Sequence, residues 1–532
     1  MAVFGIDLGT TYSSVAYLDA TGRPSVVPSR EGGDSTPSAV YFSTADSVVV
    51  GTKAKDTAVL EPDLVVDLIK RELGRHLTLT MHGQQFTAEE VSALILRRLV
   101  ADAVQATGEQ VTEAVITVPA YFGVAERAAT QRAGELAGLR VIDVLSEPVA
   151  AALSYRVADT GGDRAILVYD LGGGTFDTTV VTVSARGLHE VSTGGDTELG
   201  GVDFDERLAE YVIDAFRAEH PDVSHPFDSP ATVQDIRARV EEAKRRLSDQ
   251  DEHTIRVMHD GRVTTVPVTR SRFEQLTADL LDRTIELTRS VLRAAAERGV
   301  PRVDEVLLVG GSSRMPAVAA RVSAEFGQEP RLHDPDLAVA RGAAWYAFEE
   351  TYRRLAASGE VREANRMASQ SGLSAEAEER MATRRVGRVC ARGYALGARP
   401  GSRLPQTQPA AQLVAANTAL PVSAAHPLAS TTDNATQLDF SLLEETGRAG
   451  RTESAHAPAG YRVIGAGAIR LPPEAPADWT ATLTLELSGS GVPTLTATGP
   501  DQAPVELALN LIGQGVGPVA RARERLAAIR VG

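Results

Sequence analysis

The feature that most limits what this chain can fold into is a strand–turn–strand device that occurs twice. The first copy is Val3-Phe4-Gly5-Ile6-Asp7-Leu8-Gly9-Thr10-Thr11-Tyr12-Ser13-Ser14-Val15-Ala16. The second is Ile166-Leu167-Val168-Tyr169-Asp170-Leu171-Gly172-Gly173-Gly174-Thr175-Phe176-Asp177-Thr178-Thr179-Val180. In each, an apolar strand runs into Asp-Leu-Gly, turns through Gly and Thr, and leaves as another strand. Asp7 and Asp170 stand 163 positions apart, so each copy opens one half of a duplicated α/β domain. The residue types point to phosphate. Glycine lets backbone N–H groups approach phosphate oxygens with no Cβ between them. Threonine hydroxyls add short donors, and a carboxylate at the strand end can hold a hydrated Mg²⁺. A strand follows each turn, whereas a Walker loop or a dinucleotide fingerprint leads into a helix. One Asp-Leu-Gly turn fits an ordinary hairpin; two copies with matched flanks are hard to explain that way.

A third signature is Val306-Leu307-Leu308-Val309-Gly310-Gly311-Ser312-Ser313-Arg314-Met315-Pro316. A strand breaks at Gly310-Gly311, and Ser312 or Ser313 is a natural N-cap for the helix after it. Close backbone approach at the two glycines suits a flat adenine and its ribose. The length of 532 residues exceeds what one core serves. Over residues 1–350, strand-like and helix-like runs alternate. Strands are expected at 3–7, 114–118, 165–170, 178–183 and 306–309, and helices at 88–105, 125–137, 148–155, 202–216, 233–247, 272–297 and 338–350. Val91, Leu94, Ile95, Leu99 and Ala103 fall on one helical face. Residues 351–388 read as a polar helical linker. From 389 to 513, runs such as Thr480-Ala481-Thr482-Leu483-Thr484-Leu485-Glu486-Leu487 alternate with period two, which predicts a β-sandwich of half-buried antiparallel strands. One short helix is expected within 514–532.

Against 54 Lys and Arg stand 70 Asp and Glu, a net charge of −16. That surface disfavours nucleic acid and anionic membrane as main partners. No secretory signal opens the sequence and no run approaches the ~18 apolar residues of a membrane span. Cys390 is the single cysteine, which excludes an intrachain disulfide and a cysteine metal cluster; a reducing cytoplasm is the expected home.

In this order the three elements resemble the heat-shock protein 70 chaperones, within the wider actin and sugar-kinase fold. Further motifs carry the resemblance across residues 1–350: Ile116-Thr117-Val118-Pro119-Ala120-Tyr121-Phe122, Glu147-Pro148-Val149-Ala150-Ala151-Ala152-Leu153, Gly195-Asp196-Thr197-Glu198-Leu199-Gly200-Gly201-Val202-Asp203-Phe204-Asp205 and Glu241-Glu242-Ala243-Lys244-Arg245-Arg246-Leu247-Ser248. The resemblance implies two lobes around a cleft for ATP or ADP, Mg²⁺ and potassium. It places Lys70 as the catalytic lysine, with Asp7, Glu147 and Asp170 positioning the metal and lytic water and Thr175 at the γ-phosphate. Tyr12 and Asp177 would help hold potassium. Gly9, Thr10, Thr11, Gly172, Gly173, Gly174, Gly200 and Gly201 fall to the phosphates; Glu241, Lys244, Arg245, Ser248, Gly310, Gly311, Ser312, Arg314 and Asp336 fall to adenosine. Glu147 equally suits a helix N-terminus as a dipole-favoured acid. Pro119 and Arg127 match a pair that relays nucleotide state, although Pro119 also reads as a strand terminator.

Past Phe348 the resemblance thins. Gly393-Tyr394-Ala395-Leu396-Gly397 and Leu413-Val414-Ala415-Ala416-Asn417-Thr418-Ala419-Leu420-Pro421 are similar to worn parts of the family's substrate-binding sandwich. Leu428, Leu438 and Phe440 either line its peptide pocket or form ordinary core. The linker is longer and more polar than the family's, the arch residues are unrecognisable around 398–409, and no long helical lid follows. The resemblance implies an ATP-dependent chaperone, divergent and lidless, acting on unfolded or client polypeptide with a J-domain co-chaperone and a nucleotide-exchange factor. The alternative is a nucleotide-switched scaffold with one dedicated partner.

Overall fold

The computed structural model describes residues 3–158, 163–373, 381–399, 402–404, 410–446, 457–500, 503–507, 510–511 and 519–532. Two lobes carry the repeated hairpins. Lobe I is built on strands in the order Arg140–Ser146, Glu113–Val118, Phe4–Asp7, Tyr12–Leu18 and Pro24–Val26, with Thr36–Pro37 also paired to Tyr12–Leu18. Lobe II has seven, in the order Arg331–Leu332, Glu305–Val309, Arg164–Leu171, Phe176–Ser184, Gly187–Asp196, Arg385–Val389 and Ala419–Leu420. The register exposes the duplication. Asp7 faces Ser14 across the first hairpin and Asp170 faces Asp177 across the second. The leading strand of each hairpin then gains a parallel neighbour, Glu113–Val118 in lobe I and Glu305–Val309 in lobe II.

Two helices, Glu147–Ala158 and Ala338–Ala357, fill the layer between the lobes. Their alanines join one core with Ala16 and Val115 of the first sheet and Ile166, Val168 and Val181 of the second. Small residues let the two helices cross closely; a Cβ at Gly342 would overlap the Ala150 carbonyl. Helix Ala88–Thr107 starts from a capping box in which Thr87 and Glu90 satisfy each other's backbone N–H groups. Its predicted apolar stripe is buried, but so are Glu89, Glu90, Arg98 and Asp102. Chain segments far away in sequence cover that polar side.

Four expectations differ from the structure. The cap expected at Ser312 or Ser313 is Met315, because Gly311–Arg314 first makes a 3₁₀ turn before helix Pro316–Phe326 begins. The helix expected over 272–297 is two helices, Arg270–Leu276 and Ala278–Glu297. Thr277 breaks it with its hydroxyl bonded back to the Phe273 carbonyl at 3.0 Å. The boundary at 350 falls inside Ala338–Ala357. The stretch read as a linker is instead built into the lobes: Ala364, Met367 and Ala368 of helix Val361–Gln370 enter the interlobe core, and Arg385–Val389 extends the lobe II sheet. Its small apolar stripe at helical spacing was hidden in a polar composition.

The C-terminal part has two five-stranded antiparallel sheets. One runs Ala411–Val414, Tyr394–Ala398, Gln437–Glu445, Tyr461–Arg470 and Asn510–Leu511; the other runs Ser402–Arg403, Val422–Ser430, Thr480–Leu487, Pro493–Thr498 and Val505–Leu507. Along Thr480–Leu487, Ala481, Leu483, Leu485 and Leu487 are buried while Thr482 and Glu486 face out, as period-two alternation requires. Val124 of lobe I joins the same core. Most of the stretch read as the missing arch lies outside the described residues. Helix Val519–Ala528 was expected; the strand after it, Arg530–Val531, was not, and it pairs with Ser47–Val50 of lobe I. Among the described residues, no helix is long and apolar enough to cross a membrane.

Candidate nucleotide site

The two Asp-Leu-Gly turns meet across a cleft of about 1040 Å³ between the lobes. Of the residues singled out in the sequence, Asp7, Gly9, Thr10, Thr11, Tyr12, Lys70, Glu147, Asp170, Gly172, Gly173 and Thr175 line it around the two turns. Glu241, Lys244, Arg245, Ser248, Gly310, Gly311, Ser312, Arg314 and Asp336 line the remainder. Gly174, Gly200, Gly201 and Asp177 stand one layer behind.

That second layer shapes the loop. Gly201 and Val202 donate to the Gly172 and Gly173 carbonyls at 3.0 and 2.8 Å, and Gly172 donates to the Thr175 carbonyl at 3.0 Å. A Cβ on Gly173 or Gly174 would run into Thr11 or Thr10, so the two loops touch because these positions carry no side chain. Gly310 has φ +80°, and a side chain there would press on the Leu171 carbonyl and Asp170. From lobe I, Arg71 donates to the Gly174 carbonyl at 2.9 Å and pairs with Asp203 at 2.6 Å.

Lys70 sits in a short 3₁₀ turn, Ile69–Glu72, entered through Leu68 at φ 54°. It is 3% exposed, and its ammonium lies 2.5 Å from Glu147, the first residue of its helix. Thr117 donates to Asp7 at 3.2 Å, and the Tyr121 N–H donates to Asp177 at 2.8 Å. Four carboxylates thus share a buried site with one lysine. Burial, then the nearby Glu147 charge, pushes the Asp7 carboxyl up to about 7 despite Lys70 and Thr117. The same causes push Asp177 up to about 8 against the Tyr121 N–H, and hold Asp170 well above the usual range. A further cation at the site would favour the charged forms of Asp7, Asp170 and Asp177. Among the described residues no group of three or more His, Cys, Asp or Glu is arranged to hold a metal ion.

A pH dependence follows from these acids. Asp7 and Asp177 titrate near 3.8 when unfolded and near 7 and 8 when folded. Between those limits the folded state holds more protons, so its stability falls as pH rises. We expect the melting temperature in EDTA without nucleotide to drop by several degrees from about pH 5 to about pH 8, and Mg·ADP to remove most of the drop. A profile that is flat or rising in EDTA contradicts the buried acid cluster.

Over the cleft, Tyr12 and Lys55 of lobe I meet Glu241 and Arg245 of lobe II. The Lys55 ammonium is 2.5 Å from Glu241 and 3.1 Å from the Tyr12 hydroxyl; Arg245 is 2.6 Å from Glu241 and 2.7 Å from that hydroxyl. Both cations also lie over the Tyr12 ring, at 5.0 and 5.2 Å. Tyr12 is therefore engaged by two cationic side chains, while Asp177 lies behind the cleft. Lys244 pairs with Asp205 at 2.6 Å and reaches the Gly201 carbonyl at 3.0 Å; Arg314 pairs with Asp336. Sequence reasoning missed Lys55, Arg71, Asp203 and Asp205 as contacts. Lys55 and Arg71 each look like solvated helix residues until partners more than 100 positions away are known.

Behind Glu147, a second set of contacts leads away from the cleft. Ser146 donates to Glu190 at 2.6 Å, and the other oxygen of Glu190 accepts the Val389 N–H at 3.0 Å. Arg388 holds Asp143 at 2.5 Å and the Tyr346 hydroxyl at 2.7 Å. Arg127 is half-buried and straps the loop after Val118 through the Phe122 and Ala120 carbonyls at 3.1 and 3.4 Å.

A two-lobed α/β domain whose paired hairpins face each other across such a cleft defines a nucleotide-binding protein of the actin-like class. A family model described as Hsp70 protein matches residues 3–348, well over half of the chain. The chain belongs to the Hsp70 family, whose members are chaperone ATPases.

Proposed function

We propose that this protein is a slow ATP hydrolase whose nucleotide state controls how the two-sheet domain seats on the lobes, and through it the grip on a polypeptide client. The observation that carries the reading is Lys70 paired with Glu147 where the two phosphate loops converge. Asp7 and Asp170 would position hydrated Mg²⁺ with the phosphates, and Thr175 would meet the γ-phosphate. Mg²⁺ supplies charge neutralisation on the phosphate oxygens. Lys70 orients the attacking water and offsets charge on the transferring group, and Glu147 fixes the ammonium in place. Glycine-lined loops and Thr10, Thr11 and Thr175 exclude misplaced water and align the phosphates. Glu241, Lys244, Arg245, Ser248, Ser312 and Arg314 would hold adenosine. Tyr12, held by Lys55 and Arg245, and Asp177, one layer behind the cleft, are not joined in one potassium site, whereas J-domain and exchange-factor partners in a reducing cytoplasm belong to the same reading.

Coupling is supported by Ser146, which adjoins Glu147 and reaches the Val389 amide through Glu190. The expected result is that hydrogen exchange at the Val389 amide differs at least several-fold between ATP and ADP. Identical exchange in both contradicts coupling.

One observation favours a dedicated partner over a general client. Leu428, Leu438 and Phe440 are 0, 0 and 1% exposed within the two-sheet core, so these three present no apolar groove in this conformation.

A further inference from the structure

Residues 519–532 bind lobe I on a face away from the nucleotide. Leu526 and Ile529, 0 and 4% exposed, belong to the core of lobe I. Arg530–Val531 then lies parallel to Ser47–Val50, and backbone bonds close the pairing: Arg530 N–H to the Asp46 carbonyl at 2.9 Å, Gly532 N–H to Val48 at 2.9 Å, and Val50 N–H to Gly532 at 3.3 Å. Two arginines of helix Ala88–Thr107 read the segment's carbonyls. Arg97 donates to Leu526 and, at 2.9 Å, to Ile529. Arg98 is 2% exposed and held by Asp102 at 3.1 Å; it donates to Gly532 at 2.9 Å and to Val50 at 2.8 Å. Arg525 pairs with Glu90 and covers the Phe86 ring at 5.2 Å. This explains why the polar side of helix Ala88–Thr107 is buried.

The location matters as much as the contacts. The two-sheet domain enters from Arg385–Val389, an added strand of the lobe II sheet, and Arg530–Val531 beyond it is an added strand on lobe I. Helix Val519–Ala528 packs against helix Val124–Leu136, which also supplies Val124 and Glu126 to the two-sheet domain. The domain is therefore strung between sheet edges of both lobes.

We propose that this edge of lobe I is a binding site for a helix-then-strand segment. Its intramolecular ligand is 519–532, acting as a latch that keeps the two-sheet domain seated on lobe I. Strand addition supplies main-chain bonds, the arginines fix register through carbonyls, and Leu526 and Ile529 anchor the helix.

The test is hydrogen exchange on the full chain, comparing wild type with Leu526→Asp/Ile529→Asp and with the milder Arg97→Met. Exchange at the Val50 amide should rise about a hundredfold or more in the double variant, as loss of a buried anchor implies. The Val124 and Val389 amides, bonded to Tyr394 and Glu190, should rise about tenfold with it. Adding a synthetic peptide of residues 519–532 should restore Val50 but leave Val124 and Val389 open, because a free peptide is no tether. If the double variant unfolds lobe I as a whole, Arg97→Met must show the same pattern more weakly. Val50 opening with Val124 and Val389 unchanged overturns the latch. Unchanged Val50 exchange, or a peptide that cannot restore it, overturns the binding site.

Discussion

Replacing Lys70 with alanine should lower ATP turnover by about 10²- to 10³-fold, the usual effect of removing one preorganised charge from a phosphoryl or oxyanion site, while nucleotide still binds. Lys70 is the cation placed among Asp7, Glu147 and Asp170, at 2.5 Å from Glu147. Phosphate loops and the adenosine side do not depend on it, so binding survives. Breaking a buried pair also costs about 3–5 kcal/mol of stability when the partner is left charged and alone. Turnover and melting should therefore both be read in excess Mg·ATP or Mg·ADP, where cation and nucleotide stabilise the acids. A Lys70→Ala protein that hydrolyses ATP within about threefold of wild type removes the lysine from the chemistry.

Replacing Glu444 with alanine should be the most damaging single change outside the cleft. Its carboxylate is 0% exposed and accepts from Arg392 at 2.6 Å, Arg462 at 2.6 and 2.8 Å and the Tyr394 hydroxyl at 3.0 Å. Arg392 also donates to the Tyr121 carbonyl at 3.1 Å, and Arg462 pairs with Glu126. Lobe I and the two-sheet domain thus share one buried ionic network. Burial alone would raise the Glu444 carboxyl, but Arg392 and Arg462 hold it down to about 2. Its contribution is therefore present above the ordinary value of 4.5 and is lost as pH falls towards 2. Truncation leaves two guanidinium groups to share the Glu126 carboxylate alone and should cost about 3–5 kcal/mol, read as a lower urea midpoint and faster exchange at the Val124 amide. A loss under about 1 kcal/mol means the network does not hold the domain.

The paired Asp-Leu-Gly turns were legible because two copies of one local pattern require no knowledge of the fold: Asp7 to Thr11 and Asp170 to Thr175 announce themselves by residue type and order. The interlobe helices were expected at 148–155 and 338–350, and the second continues to Ala357. What the sequence concealed depends on long-range pairing. Lys55 acquires meaning only from Glu241, 186 positions away, and Arg98 only from the carbonyls of Val50 and Gly532. The segment 351–388 was misread because composition averages over faces; Ala364, Met367 and Ala368 form a thin stripe that polar neighbours mask. Arg530–Val531 is two residues long and gave no periodic signal, so its strand exists only through Ser47–Val50. Leu428, Leu438 and Phe440 illustrate the remaining ambiguity: pocket lining and core have the same residue types, and only their burial separates them.

On the proposed function, this cleft hydrolyses ATP and the two-sheet domain feels it. The most direct measurement is phosphate release from Mg·ATP by the full chain, alone and with a panel of extended apolar peptides. Slow release is the predicted result, and a several-fold change with any peptide would return the reading to a general client. ATP that binds with no phosphate released would contradict hydrolysis at this cleft.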